Sequence, residues 1–186
     1  MKSLQNTFVV LFILTAIPLV MAFFTKKDYA VKREIVINKP QKEVFDYVKY
    51  IRNMDNYGIW TDLDPNMKRS YLGFDGTEGY IAAWESDNER VGKGEHKITK
   101  ITENESILYE MRFFRPYKTV KPVYIKTQAI SENQTQVQWG FSGKLNYPEN
   151  LRLLFEDFEE DIGDDIALSL QNLKNIMESK KTSDVK

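Results

Sequence analysis

Between Thr135 and Gly143 the chain alternates large apolar with polar residues (TQVQWGFSG), and past Tyr147 and Pro148 it turns into one long amphipathic helix. A strand that shows Val137, Trp139 and Phe141 on one face needs a cover, and the stripe that follows supplies it. Leu151, Phe155, Phe158, Ile162, Ile166, Leu170, Leu173 and Met177 recur there in steps of three or four. About 30 residues at this period make a helix of roughly 45 Å, enough to span a sheet. Together they predict a curved antiparallel sheet wrapped around a C-terminal helix, an arrangement that leaves a hollow.

The upstream pattern agrees. Residues 30–38 alternate Val31, Arg33, Ile35 and Ile37 with charged neighbours, as a half-buried strand does. Pro40 then opens a helix where its missing N–H costs nothing, with Val44, Phe45 and Val48 on one side, and a second short helix covers 51–59. Strand-like runs follow at 68–72, 79–86, 92–102, 106–114, 119–131 and 134–145, parted by Asp, Asn and Gly turn signals. Short connections favour antiparallel neighbours. The acidic residues Glu156, Asp157, Glu159, Glu160, Asp164 and Asp165 crowd the start of the terminal helix, where they complement its dipole.

The first thirty residues have a different character. Residues 8–24 (FVVLFILTAIPLVMAFF) form an uncharged, mostly apolar run of 17, flanked by Lys2 and by Lys26 and Lys27. That length lies at the lower limit for a helix crossing a hydrocarbon core of about 30 Å. A retained single-pass anchor is the expectation, because Phe23 and Phe24 continue the apolar run. The alternative is export with cleavage after Ala22, where small residues fit a signal peptidase. The chain thus divides into an anchor or signal segment at 1–28, one α+β domain at 29–179 and a polar tail at 180–186.

Composition removes several classes of function. The net charge is −1, with 26 basic and 27 acidic side chains, which offers no field for a phosphate backbone, so no nucleic acid partner is expected despite two short helices in tandem. With no Cys and one His, disulfides, thiol nucleophiles, thiolate metal sites and His clusters are excluded, and neither metal nor cofactor is expected.

Particular residues then carry a likeness. They are residues 35–40 (IVINKP) leading to Val44 and Phe45; Trp60 with Asp64 and Pro65; Gly76 and Gly79 before Trp84; residues 91–94 (VGKG) before Ile98; residues 135–139; and residues 168–174 (LSLQNLK) with Glu178. In order and spacing the chain from about 29 to 178 resembles the helix-grip superfamily of START-like lipid carriers, polyketide cyclase-like proteins and birch-pollen-allergen-like proteins (SRPBCC), nearest its polyketide cyclase/dehydrase-like branch. The resemblance implies about seven strands around the terminal helix, roofed by the short helices. It does not imply a reaction, since one scaffold hosts many chemistries.

The expected site is an apolar cavity under that helix. Strand parity puts Trp60, Tyr80, Trp84, Tyr109, Phe113, Trp139, Phe141, Phe155, Phe158 and Ile162 on its wall, and plain core packing is the competing reading for each. Gly163 inside the helix implies either a close approach by sheet or ligand or a tolerated kink. His96 is read as an ordinary strand histidine, the alternative being a proton donor aimed into the cavity. Asp157, Asp161 and Asp165, one helical turn apart, are read as a solvated face rather than a cation site. Arg112 and Arg115 are candidates for holding an anionic headgroup at the cavity mouth, or else solvated edge residues. Asn104 and Asn133 fit the glycan acceptor pattern but lie in turns, where Asn is expected anyway.

The leading expectation is membrane-tethered binding of a hydrophobic small molecule or lipid, with no catalytic residues. A cyclase- or dehydratase-like enzyme using groups such as His96, Tyr109 and Arg112 is the second reading, and a non-binding envelope or stress module with a filled core is the third.

Overall fold

The computed structural model describes residues 2–155 and 157–179, and the proposed tail at 180–186 lies outside them. An apolar helix α1 (Lys2–Phe24) precedes β1 (Asp28–Ile37), α2 (Gln41–Val48), a 3-10 turn (Ile51–Asn56) and α3 (Ile59–Leu63). The chain then runs through β2 (Lys68–Leu72), β3 (Ile81–Glu85), β4 (Lys93–Thr102), β5 (Ser106–Arg115), β6 (Thr119–Ser131) and β7 (Gln134–Lys144). A second 3-10 turn (Glu149–Leu154) leads into α4 (Phe158–Ser179).

All seven strands join one antiparallel sheet in the order β1-β7-β6-β5-β4-β3-β2. After β1 the helical segment carries the chain to the far edge, and a meander returns until β7 closes on β1. Register shifts between Ile98 and Lys100 and between Ala129 and Ser131 add residues to one strand of a pair, which raises local twist and bends the sheet. The β4–β5 turn is tight enough that Asn104 takes a φ of 60°, a left-handed conformation that Asn tolerates better than most residues.

The concave face carries the core. Ile166, Leu170, Leu173 and Met177 of α4 are buried against Val31, Ile37, Val137 and Trp139. At its C-terminal end α4 is tied to β1 by polar contacts: Lys174 Nζ donates to the Val36 carbonyl (2.8 Å), and Glu178 accepts from Asn38 N and Nδ2 (2.8 and 2.9 Å). Val44, Phe45 and Val48 of α2 plug the end of the sheet where β1 finishes and β7 begins.

The helical stripe is shorter than its periodicity suggests. Leu151 belongs to the 3-10 turn and Phe155 is 78% exposed, so neither extends α4. The break has a local cause: the Asp157 carboxylate accepts from the N–H groups of Glu159 and Glu160 (both 3.1 Å) and starts a new helix there. Its 22 residues give about 33 Å rather than 45 Å.

Gly163 is explained by β1. The Arg33 guanidinium lies across the helix at this point, donates to the Glu159 carbonyl (2.7 Å) and pairs with the Glu159 carboxylate (3.5 Å). A Cβ at 163 would stand 2.2 Å from Arg33 Nη2. Gly163→Ala is therefore expected to be at best neutral while Arg33 is present, and to stabilise by about 1 kcal/mol in an Arg33→Ala background. Urea unfolding of the four proteins of this cycle checks it; equal effects in both backgrounds would remove the assignment.

Candidate functional site

A cavity of about 600 Å³ lies between the concave face, α4 and the 51–63 segment. That is within the range of small-molecule sites. It occupies the half of the sheet that α2 does not plug. Two levels of inward register form its back wall: Ala82, His96, Met111 and Lys121, then Arg69, Trp84, Phe113 and Thr119.

Of the ten residues expected on the wall, Trp60, Trp84, Phe113, Trp139, Phe141 and Ile162 are there. Tyr80 and Tyr109 face inward but lie off the cavity wall: both are buried, Tyr109 level with the fully buried Ile98. Phe155 is off the wall, and the side chain of Phe158 lies outside the described residues. Parity assigns a face of the sheet; it does not say how far along the strands the hollow runs.

The aromatic wall is held by close packing. Trp139 meets Tyr57 and Trp60 edge-on (6.0 and 5.9 Å between ring centroids). The Trp84 indole lies over Gly94, where a Cβ would stand 2.6 Å from it, and donates from Nε1 to the Val91 carbonyl (3.1 Å). That bond leaves its ring as an apolar face.

Polar groups on the wall are few. Lys121 Nζ donates to the Tyr29 hydroxyl and lies 4.8 Å from the Tyr29 ring centre. Neither residue was anticipated. The available signal was parity: Lys121 shares the inward register of Val123 and Ile125, and Gly143 leaves space in which the Tyr29 ring lies. His96 stands between Trp84 (4.9 Å) and Tyr109 (6.4 Å), and burial lowers its pKa from 6.5 to about 4, so it is neutral at pH 7. His96 Nε2 and the hydroxyls of Tyr57 and Tyr109 are buried without a protein partner. Burial pushes both phenols well above the usual tyrosine range.

At the β2 edge a polar cluster borders the cavity. Arg69 pairs with Asp55 (3.2 Å), the Tyr71 hydroxyl donates to Asp55 (3.4 Å), and the Arg52 guanidinium lies over the Tyr71 ring (4.1 Å) while donating to the Tyr80 hydroxyl (3.1 Å). The arginines proposed for the mouth are placed differently. Arg112 points to the convex face and pairs with Glu95 (3.5 Å) and Glu110, and Arg115 pairs with Glu85 (3.3 Å). Among the described residues no three His, Asp or Glu side chains converge as a cation site would need.

Solved structures share this architecture. Norcoclaurine synthase from Thalictrum flavum, in truncated form, matches with a TM-score of 0.63 at 11% identity over 84% of this chain and 98% of that one. The Aha1 dimer from Colwellia psychrerythraea matches with a TM-score of 0.56 at 15% identity, covering 81% of this chain and 96% of that one. Ara h 8.0201 gives 0.54 at 12% identity, covering 82% and 99%. No protein-family model and no curated protein sequence matches the chain. The fold these structures share with the chain is the helix grip, a curved antiparallel sheet around a C-terminal helix.

The buried imidazole gives a pH signature. Its folded pKa is depressed, so the stability tied to its neutral form is present above pH 6.5 and is lost as pH falls toward 4, where the unfolded chain binds the proton first. Relative to wild type, His96→Gln should gain about 1 to 3 kcal/mol between pH 7 and pH 4. Unfolding curves at stepped pH check this; parallel losses in both proteins would show that His96 titrates normally.

Proposed function

We propose that this protein is a membrane-anchored binder that takes a hydrophobic small molecule or lipid into its aromatic-lined cavity and releases it unchanged. The observation that carries the reading is the 600 Å³ space itself, walled by Trp60, Trp84, Phe113, Trp139 and Phe141, where a filled core would have no such volume. A small-molecule occupant is in keeping with the fold: a further norcoclaurine synthase structure, with a TM-score of 0.61 at 11% identity over 88% of this chain and 94% of that one, holds dopamine and hydroxybenzaldehyde.

The anchor reading rests on α1. Residues Gln5–Phe24 have a mean hydropathy of 2.6, and only 6% of that stretch is buried, so it is not a core helix of this domain. Retention rather than cleavage is supported by Asn150, which is fully buried and donates from Nδ2 to the Ala22 carbonyl (2.6 Å) and the Thr25 carbonyl (2.9 Å). Cutting after Ala22 would destroy the first of these acceptors' peptide groups and leave a buried amide short of a partner. N-terminal sequencing of the protein taken from membranes is expected to read from before Gln5; a start at Phe23 would contradict the anchor.

One observation favours the enzymatic alternative. The Lys121 amine and the Tyr29 hydroxyl are joined on the cavity wall, a pair able to pass a proton to a bound carbonyl compound. One experiment separates the two readings. All three tryptophans of the chain line the cavity, so its intrinsic fluorescence reports occupancy. Dibrominated stearate added to the full chain in lipid nanodiscs should quench that emission saturably, and Ala82→Phe, which fills the wall beside His96, should weaken the effect about tenfold. Absence of saturable quenching would remove the binding reading. Mass spectrometry of compounds recovered after uptake should find them unaltered; alteration by wild type and not by Lys121→Met would establish the enzyme instead.

A further inference from the structure

Exposed residues line the cavity at the end of the sheet where α1 joins the domain. Asp28 pairs with Lys144, and Phe113 with Thr119, so the start of β1, the end of β7, the start of β6 and the end of β5 lie together. Two loops bracket the opening there, the β5–β6 turn and the β7–α4 connection. Tyr117, Lys118, Lys144, Glu149 and Arg152 line the cavity and are exposed. Only residues 25–27 separate Phe24 from β1, a reach of about 10 Å at full extension.

That short link is also fixed in direction. Asn150, in the 3-10 turn beside the mouth, holds the carbonyls of Ala22 and Thr25, and the Leu145 N–H donates to the Lys27 carbonyl (2.9 Å). The helix end and the mouth therefore move as one unit. A bilayer that accepts α1 meets this end of the domain and no other.

The side chains at this end suit such a surface. Tyr117 (72% exposed), Tyr147, Leu154 and Phe155 (78%) project from the two bracketing loops. Single exposed apolar residues are ordinary, but Tyr117 borders the cavity and the other three lie on the β7–α4 connection, whose 3-10 turn packs against α1. Among the described residues Lys26, Lys27, Lys118 and Lys144 stand against Asp28, Glu149 and Asp157. Neighbouring charges further out are already matched, Glu85 with Lys93 and Arg115, and Arg90 with Asp165.

We infer that the mouth is seated on the bilayer that α1 enters, its aromatic rim in the interface and its basic collar against anionic headgroups, and that the cavity's ligand is an anionic lipid exchanged with that bilayer without crossing water. This rests on the membrane-anchored binding reading.

The chain has no cysteine, so single-cysteine labelling of the full protein is selective. An environment-sensitive NBD label is placed at Tyr117→Cys on the rim or at Asn133→Cys at the opposite end, in vesicles of phosphatidylcholine with or without phosphatidylglycerol and traced with brominated lipid. The rim label should be blue-shifted and quenched at least about threefold more than the distal one, and most strongly on the anionic vesicles. Lys118→Glu with Lys144→Glu should abolish the anionic preference while α1 still inserts. A rim label as wet as the distal one overturns the seating, and equal quenching on both vesicle types overturns the anionic assignment. Failure of the underlying reading looks different: dibrominated stearate then leaves the cavity tryptophans unquenched wherever the rim label sits.

Discussion

One helix cannot cover a seven-stranded concave sheet. α4 lies along β1 and β7, and α2 plugs one end of the strands, so the inward side chains of β3 to β6 toward the other end have no secondary-structure element packed directly on them. The 51–63 segment bridges this gap without filling it. The size and position of the cavity follow from that mismatch, and so does its lining, because the residues left uncovered are the inward-facing ones of a strongly aromatic sheet. An apolar wall without a packed cover loses dispersion contacts that a ligand would restore, which gives the fold a physical reason to bind.

The same interior carries a polar cost. His96 Nε2 and the hydroxyls of Tyr57 and Tyr109 are buried with no protein partner, and each such group costs on the order of 1 to 3 kcal/mol. They cluster at the boundary between the plugged half and the hollow half. The inward cation Lys121 is instead satisfied by Tyr29 and shares the cavity wall with it. The cavity wall thus carries few polar groups, with Lys121 and Tyr29 joined on it.

Much of the fold was legible because period-two alternation and turn residues act locally. The runs at 68–72 and 119–131 coincide with β2 and β6, and the others differ by one or two residues at their ends. What stayed hidden depends on tertiary partners. The apolar stripe continues through Leu151 and Phe155, yet Asp157 caps a new helix after them, and periodicity cannot see a cap that competes with continuation. Tyr80 and Tyr109 have the right parity and the wrong depth, since depth is set by α2, a helix distant in sequence. Lys121 and Tyr29 were missed because a charged residue in an inward register reads as an exception until its partner is seen. Gly163 signalled a close approach, and only the structure identifies Arg33 as the group approaching.

Uptake of an apolar ligand requires the space among Trp60, Trp84 and Trp139 to be a true apolar void. Xenon under pressure binds such voids and ignores filled cores and wet surfaces. A crystal of the protein equilibrated with xenon should show the gas between these three rings and against Phe113 and Phe141. A xenon-free interior, closed by the protein's own side chains, would contradict it.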